Sequence, residues 1–225
     1  MIEFRSVSHR YGDRPTLQDV TLRLVERRIG VIGPNGSGKS TLARLCNGLV
    51  KPTSGTVLAE GHDTTRETAA VRRVTGFVFQ DPDTQILMPT VAEDLAFSLR
   101  PLRLPAAEVA RRVDAQLEAF GLVDHRDHPA HLLSGGQKQL LAIAAVLMTD
   151  PAIVLFDEPT TLLDLRNKHR VMETIVGLSQ QIVVVTHDLD LLDRFDRVIL
   201  IDEGRVAADG APGETVAFYR KLILG

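Results

Sequence analysis

The chain has 225 residues, of which 44% are hydrophobic and 24% are charged, and its formal net charge at pH 7 is −3. This length can bury a sizeable core without disulfides. The single cysteine, Cys46, excludes an intramolecular disulfide, and the charge excludes an overall positive field for nucleic acid or anionic lipid. The longest apolar run, 140–148, is much shorter than the roughly 20 residues of a membrane span, and the N-terminus lacks the pattern of a secretory signal. We therefore expect the chain to work on the cytoplasmic side.

The N-terminal third of the sequence predicts strands around one glycine-rich loop. Apolar residues alternate at 2–4 and again at 17–24, which indicates antiparallel-type strands that are solvated on one face, with a turn at Gly12–Asp13 between them. The elements predicted next are a buried strand at 29–32, a helix at 39–49, a turn at 51–55, a strand at 56–59 and a strand at 74–79.

A helical section and then an alternating section follow. From Thr90 to Met148 the pattern is helical, with breaks at Pro101, Pro105 and Pro129. The elements predicted after it are strands at 153–156, 182–185 and 198–201 and helices at 165–178, 189–195 and 213–222. Such alternation predicts a parallel sheet covered on both faces. We expect a single domain over residues 1–225, with a helical subdomain inserted at about 82–150 of an α/β core.

A phosphate-binding loop is the first chemical motif. Residues 33–40 read Gly-Pro-Asn-Gly-Ser-Gly-Lys-Ser, which fits G-x-x-x-x-G-K-[ST] between a predicted strand and a predicted helix. Successive amides in such a loop form a donor nest, and the helix N-terminus adds a favourable dipole. Lys39 is predicted to reach the β- and γ-phosphates and Ser40 to ligate Mg²⁺. The alternative is a glycine-rich turn that binds no ligand.

An acidic pair follows the buried strand at 153–156. Strand ends of this kind hold the ligands of parallel sheets, so Asp157 is predicted to hold the Mg²⁺ shell. Glu158, one residue further on, is predicted to orient or deprotonate the attacking water. The alternative is an acidic turn without a catalytic role.

Residues 133–137 read Leu-Ser-Gly-Gly-Gln, and Ser134 and Gln137 form an S-x-x-Q capping box before a helical run. On this motif, and on the other landmarks in their family order, the chain resembles an ATP-binding cassette (ABC) ATPase over nearly its whole length. The resemblance implies an α/β fold: a P-loop NTPase core with an N-terminal antiparallel β subdomain and an inserted helical subdomain.

The resemblance also implies roles for single residues. Tyr11 matches the aromatic residue that stacks on adenine, and Gln80 matches the glutamine that senses Mg²⁺ and water and couples to a membrane partner. Asp164 matches the aspartate that crosses a dimer interface. His187 matches the histidine that contacts the γ-phosphate and the attacking water. Residues 134–137 would contact the γ-phosphate of the opposite subunit, which implies a head-to-tail dimer with two ATP molecules, formed with a second copy of this chain or with another ABC ATPase subunit.

The loop before Asp164 departs from the family pattern. The family usually has Ser-Gly-Leu-Asp or Ser-Ala-Leu-Asp there, whereas this chain has Thr-Leu-Leu-Asp at 161–164, so that Leu162 replaces a small residue. The change removes no catalytic group.

The motifs and the resemblance together predict one set of site residues. The predicted ATP contacts are Tyr11, Gly33, Pro34, Asn35, Gly36, Ser37, Gly38, Lys39, Ser40, Thr41, Gln80, Ser134, Gly135, Gly136, Gln137, Asp164 and His187. The predicted catalytic residues are Lys39, Glu158 and His187, and the predicted Mg²⁺ set is Ser40, Gln80 and Asp157.

A narrower resemblance rests on residues 77–85, Phe-Val-Phe-Gln-Asp-Pro-Asp-Thr-Gln, followed by Thr-Val-Ala-Glu-Asp-Leu-Ala-Phe at 90–97. These stretches are similar to the A components of energy-coupling factor (ECF) importers. The resemblance implies a motor held at the cytoplasmic face of the membrane by integral transmitter and substrate-capture subunits. The apolar cluster at 86–89 is either core or a docking surface for the transmitter.

Compactness makes the chain most similar to the A component of biotin transporters. ATPases of cobalt or nickel importers, or of another ABC importer, are the alternatives. An ABC ATPase that acts on nucleic acid is a remote alternative. A free-standing P-loop kinase would have no use for the Leu-Ser-Gly-Gly-Gln segment at 133–137, which resembles the signature motif of ABC ATPases. No nucleic-acid partner is expected.

Two weaker signals have structural interpretations. His125, His128 and His131 are spaced by three residues, but Pro129 breaks the helix that would align them, which favours a solvated loop over a metal site. Cys46 lies within an apolar helix and is predicted to be a small core residue.

Overall fold

The structure of the chain, a computed structural model, describes residues 1–224. Its strands are β1 Ile2–Tyr11, β2 Arg14–Leu24, β3 Arg28–Ile32, β4 Ser54–Ala59, β5 His62–Asp63, β6 Thr75–Val78, β7 Ile153–Asp157, β8 Gln181–Val185, β9 Arg197–Asp202 and β10 Arg205–Gly210. Its α-helices are α1 Lys39–Cys46, α2 Thr68–Val74, α3 Val91–Ser98, α4 Ala106–Phe120, α5 Gly135–Leu147, α6 Leu165–Gly177 and α7 Pro212–Leu224. Short 3-10 helices lie at Pro82–Thr84, Arg100–Leu102, Val123–His125, Ala130–Leu132 and Leu189–Arg194.

The N-terminal strands form the predicted antiparallel sheet, in the order β2-β1-β4-β5. Ile2 and Phe4 of β1 are buried and lie opposite Leu24 and Leu22 of β2, so the alternation in the sequence is confirmed. Between β1 and β2, Gly12 adopts a φ of 56° in a two-residue turn, a backbone conformation that favours glycine.

The second sheet has six strands in the order β10-β9-β3-β8-β7-β6. β3 pairs in parallel with β8 and β9, and β7 pairs in parallel with β8, which confirms the predicted parallel sheet. All five residues of β7 are buried, as expected for a parallel strand that is covered on both faces. The edge strand β10 runs antiparallel to β9 and was not predicted, because its sequence, Arg-Val-Ala-Ala-Asp-Gly, contains a single β-branched residue and its positions are alternately exposed and half-buried.

Several predicted elements differ from the structure in extent or type. The strand expected at 74–79 spans only β6, because Val74 ends helix α2, which buries just one residue and therefore has no apolar periodicity. The helix expected at 39–49 ends at Cys46. Gly48 then turns the chain with a φ of 70°, where a Cβ would lie 2.6 Å from the Thr64 carbonyl oxygen. The helix expected at 189–195 is a 3-10 helix.

The chain divides into two compact units. The first comprises Met1–Phe77, Ala152–Glu158 and the segment from Thr174 onward, and the second comprises Val78–Pro151 and Pro159–Glu173. A single domain with an insertion at about 82–150 stays a prediction. Among residues 1–224, no helix combines the length and the apolar composition that crossing a bilayer requires.

Each unit has an apolar interior. In the first unit, strands β3, β7, β8 and β9 are almost wholly buried, and the Sγ atom of buried Cys46 donates to the Leu42 carbonyl oxygen at 3.2 Å. Burial also raises the pKa of the Cys46 thiol. Cys46 is therefore a small core residue, as the sequence predicts. In the second unit, α3, α4 and α5 pack through buried residues that include Val91, Leu95, Val113, Leu117, Leu141 and Ala144. Burying each such leucine or valine contributes about 1.5–3 kcal/mol.

Candidate nucleotide site

The loop between β3 and α1 has a backbone that only glycine adopts readily. Gly33 and Gly38 have φ values of 144° and 111°, and a Cβ at these positions would lie 1.9 Å from the Ile201 oxygen and 2.5 Å from the Thr16 oxygen. The hydroxyl oxygen of Ser37 is buried and has no partner among the residues that the structure describes. Helix α1 begins at Lys39, directly after the N-cap residue Gly38, without a side-chain cap and without an acidic residue in its first turn. The loop therefore offers donors that an anion can satisfy.

Lys39 is folded back over this loop. Its Nζ atom donates to the carbonyl oxygens of Gly33 and Pro34 at 2.8 and 2.9 Å, and the residue is only 5% exposed. Burial lowers the pKa of the ammonium group, and the charges of Glu158 and Asp157 oppose that shift only in part. A buried cation with these neutral partners is suited to a phosphate group, which supplies the missing negative charge.

Ser40 and Asp157 bring a hydroxyl and a carboxylate together. The Ser40 Oγ donates to the Asp157 Oδ1 at 2.7 Å, and the Arg44 guanidinium donates to the other carboxylate oxygen at 3.1 Å. Mg²⁺ prefers oxygen ligands of these two kinds, so the pair fits the predicted ion. Arg44 was missed from the sequence, although its spacing of four residues from Ser40 on α1 places it on the same helix face.

Glu158 and His187 form the second polar pair of this unit. The Oε2 atom of Glu158 lies 2.9 Å from the Nδ1 atom of His187. Glu158 has a φ of 51°, a left-handed conformation that costs roughly 1–2 kcal/mol in a residue with a side chain. Its backbone N–H donates to the Val185 oxygen at 2.9 Å, which ties β7 to β8 where both strands end. Strain of this kind, held in place by neighbouring strands, is typical of functional sites.

A cavity of about 270 Å³ opens beside the loop. Its lining residues are Tyr11, Arg14, Thr16, Gly36, Gly38, Lys39, Ser40 and Thr41. Tyr11 is 50% exposed and meets the ring of His9 edge to face, with the ring centroids 4.6 Å apart. Arg14 was missed from the sequence. The tight turn at Gly12 could have indicated it, because the hairpin register places Arg14 opposite Tyr11.

In the second unit, Ser134 and Gln137 form the predicted capping box of helix α5. The Ser134 Oγ accepts from the Gln137 N–H, and the Ser134 N–H donates to the Gln137 Oε1 at 2.9 Å. A Cβ on Gly136 would lie 2.4 Å from the Asn167 Oδ1, so the glycine is needed for this close packing. Gly135 faces Leu163, whose Cδ2 atom would lie 3.7 Å from an added Cβ. Residues 134–137 therefore form a capped helix N-terminus, in which Gly135 and Gly136 allow close packing against Leu163 and Asn167.

Asp164 directly precedes helix α6. Its carboxylate accepts from the Asn167 N–H at 2.8 Å and from the Asn167 side-chain amide at 3.0 Å. Leu162, two residues earlier, is 64% exposed. Gln80 follows β6 and, with residues of the 159–163 loop, lines a small cavity in the second unit. The hydrogen bonds to Asn167 give Asp164 a structural role at the start of helix α6. The role at a dimer interface that the resemblance implies stays a prediction.

The apolar cluster at 86–89 has two parts. Ile86 packs against the core of the second unit, whereas Leu87 is exposed. The backbone N–H groups of Leu87 and Met88 donate to the Asp94 Oδ1 at 2.8 and 3.1 Å. Burial raises the pKa of the Asp94 carboxyl, and these two hydrogen bonds lower it in part. The cluster is thus partly core and partly surface.

The histidines at 125–131 are engaged otherwise than as a metal site. The Gln137 side-chain amide lies 2.9 Å from the His125 Nε2, and the ring of His125 meets that of His128 edge to face at 5.1 Å. In the part of the chain that the structure describes, no three His, Cys, Asp or Glu residues are grouped to hold a metal ion.

The structure brings the predicted residues together in two sets. The set in the first unit surrounds the glycine loop and consists of Tyr11, residues 33–41, Asp157, Glu158 and His187. The set in the second unit consists of Gln80, residues 134–137 and Asp164. The first set fits Mg²⁺ and a phosphate chain by its own geometry.

Comparison with known proteins identifies the family to which the chain is similar. A family model described as ABC transporter matches residues 17–161. A Deinococcus radiodurans protein whose name goes no further than ABC transporter ATP-binding protein is 57% identical over 221 residues, which cover 98% of each chain. The biotin transport ATP-binding protein BioM of Rhizobium etli is 47% identical over 98% of each chain. The energy-coupling factor transporter ATP-binding protein EcfA1 of Caldanaerobacter subterraneus is 41% identical over 89% of this chain and 75% of that protein.

Two solved structures share the fold. CbiO1 of Clostridium perfringens, described as part of the ABC transporter complex CbiONQ, matches with a TM-score of 0.87 at 34% identity, over 99% of this chain and 94% of that one. An ATP-binding cassette solved as a dimer in a post-hydrolysis state with ADP and Pi matches with a TM-score of 0.81 at 29% identity, over 94% and 99% of the two chains. The predicted fold class is confirmed.

Proposed function

The chain belongs to the ABC transporter family of ATPases, and from this premise we propose that it is the motor subunit of an ECF-type importer. The observation that carries the chemistry is the grouping of Lys39, Ser40, Asp157 and Glu158 around a glycine loop whose donors an anion would satisfy. The likeness to ECF and biotin ATP-binding proteins over nearly the whole chain supports the biological role. The chain would be held at the cytoplasmic face of the membrane by integral subunits.

Residues of the first unit would hold the nucleotide. The backbone N–H groups of Gly36 and Gly38 and the Lys39 ammonium would donate to the phosphates, and Ser40 and Asp157 offer oxygen ligands to Mg²⁺. When bound by these residues, Mg²⁺ would supply positive charge against the charge that develops on the phosphates. Tyr11 offers a half-exposed ring to the adenine.

The Glu158 carboxylate would accept a proton from the attacking water. His187, in contact with Glu158 through its Nδ1 atom, keeps its other ring nitrogen for a hydrogen bond to the γ-phosphate or to the water. Residues 134–137 would reach the nucleotide of a second copy of the chain, since a helix N-terminus without acidic side chains in its first turn attracts phosphate. The dimeric state of the similar cassette supports the formation of a dimer.

The transported substrate is proposed to be biotin, because the Rhizobium etli relative is a biotin transport protein. Import of another small nutrient, such as cobalt or nickel ion, is the second candidate.

Purification from membranes tests the role directly. The tagged chain is expected to extract with integral membrane subunits, and vesicles that contain the complex are expected to take up labelled biotin when ATP is supplied. Uptake of cobalt or nickel in place of biotin would support the second candidate. Recovery of the chain alone, or with nucleic acid, would contradict the motor role.

Tyr11→Ala is expected to raise the KM for ATP about tenfold and leave kcat nearly unchanged, because stacking on a base contributes roughly 1–3 kcal/mol. Steady-state ATPase kinetics measure this. Tyr11→Phe is the control, because it keeps the ring and should keep the wild-type KM. If the alanine variant has the KM of the wild type, adenine does not stack on Tyr11.

Ser134→Ala removes an N-cap and is expected to lower the free energy of unfolding by about 1 kcal/mol. Thr90→Ala is a matched control, because Thr90 and Glu93 form an equivalent capping box at helix α3. Both variants should show a similar loss in urea unfolding, but only Ser134→Ala should also lower the ATPase rate. Equal ATPase rates in the two variants would limit Ser134 to its capping role.

A further inference from the structure

Gln139 is a polar residue in an apolar position. It is the fifth residue of helix α5, it is only 1% exposed, and the five helix residues that follow it are apolar and buried. Its side-chain nitrogen has no hydrogen-bond partner among residues 1–224. An unpaired buried amide destabilises a fold, so an apolar side chain would serve the core better at this position. The amide therefore points to a use beyond packing.

The side chain of Gln139 lines a cavity of about 110 Å³, which has room for several water molecules. Gln80 and Asp81 also line this cavity, and so do Pro159 and Leu162. All of these residues belong to the second unit. The unpaired amide is thus placed where residues 80–83, here called the Gln80 loop, and the 159–163 loop approach helix α5.

Neighbouring contacts already attach both loops to helix α5. The Lys138 Nζ donates to the Asp83 Oδ1 at 2.7 Å, which holds the end of the Gln80 loop. On the other side, Gly136 packs closely on Asn167, and Asn167 is bound to Asp164. Gln139 follows both attachment points on the same helix, one residue after Lys138 and three after Gly136.

We propose that Gln139 is a positioning residue that links the Gln80 loop to the 159–163 loop through hydrogen bonds made inside this cavity. The two loops then shift together with helix α5, so that Gln80 and Asp164 reach their working positions at the same time. This inference rests on the proposed function, because it assigns a partner to two residues of that site.

The test uses the complex of the chain with its membrane subunits and compares Gln139→Leu with Gln116→Leu. Gln116 is a matched control, because its amide donates to the Ala144 oxygen at 2.8 Å in the same unit but does not line the cavity. Gln139→Leu is expected to lower kcat on the order of 10- to 100-fold, the size of effect that small misplacements of catalytic groups have. The KM for ATP should stay unchanged, and the Tm should not fall below that of Gln116→Leu.

An unchanged kcat in Gln139→Leu would overturn the inference. An equal fall of kcat in both variants, or a fall that comes with a larger loss of Tm than in Gln116→Leu, would make the role structural and overturn it too. A Glu158→Gln complex measured in parallel separates the two proposals. If that complex turns over at the wild-type rate, the base role that the proposed function gives to Glu158 fails. If it is inactive while Gln139→Leu is fully active, only the present inference fails.

Discussion

Glu158→Gln is expected to bind ATP with wild-type affinity and to lower kcat by about 10²- to 10⁴-fold, the usual contribution of a general base. The carboxamide has the shape of the carboxylate and can keep a contact with His187, but it cannot accept a proton from water. Because hydrolysis would no longer release the closed state, an ATP-bound dimer should accumulate. Steady-state ATPase assays and size-exclusion chromatography with Mg²⁺ and ATP measure the two effects.

The control for this variant is Glu60→Gln. Glu60 also has a left-handed backbone, with a φ of 48°, but it lies at the turn between β4 and β5 and pairs with the N-terminal ammonium group. Any effect of exchanging a glutamate for a glutamine in that conformation should show in both variants, whereas the loss of turnover should occur only at position 158. Undiminished turnover in Glu158→Gln would show that Glu158 is not the base.

The loop at 33–40, the acidic pair and the signature segment could all be predicted, because each is a local pattern in a local context. A strand leads into the glycines and a helix leaves them, so Lys39 and Ser40 were correctly placed at the start of α1. The capping box at Ser134 is equally local and is confirmed.

Features that depend on distant partners could not be predicted. Strand β10 has no apolar alternation of its own, and it is ordered through its pairing with β9. Gln139 reads as an ordinary polar helix residue, and only the structure reveals its burial and the cavity beside it. The sequence identified Leu162 as unusual, but its position on the wall of that same cavity required the fold.

Lys39→Met is expected to weaken ATP binding at least about tenfold, because a hydrogen bond to a charged group contributes roughly 1.5–3 kcal/mol and the ammonium is predicted to reach two phosphates. Methionine keeps the apolar stem, so the loop should retain its shape. Titration calorimetry with ATP and Mg²⁺ measures the affinity. Lys51→Met, at an exposed lysine in the turn before β4, is the control and should bind as the wild type does.

The same variant tests how the burial of the Lys39 ammonium group affects the stability of the protein without nucleotide. Burial lowers the pKa of Lys39 below its unfolded value near 10.5, so between these two pKa values the unfolded chain binds more protons than the folded chain. The stability of the wild type should therefore gain a contribution from this group as the pH rises through that window, and Lys39→Met should lack the contribution. Urea unfolding of both proteins across alkaline pH measures the difference.

Because the buried ammonium lacks a bonded carboxylate, the variant without nucleotide should be at least as stable as the wild type at neutral pH, even though it binds ATP less tightly. A variant that lost affinity and stability together would indicate that Lys39 holds the loop in shape, whereas a loss of affinity alone assigns the lysine to the phosphates.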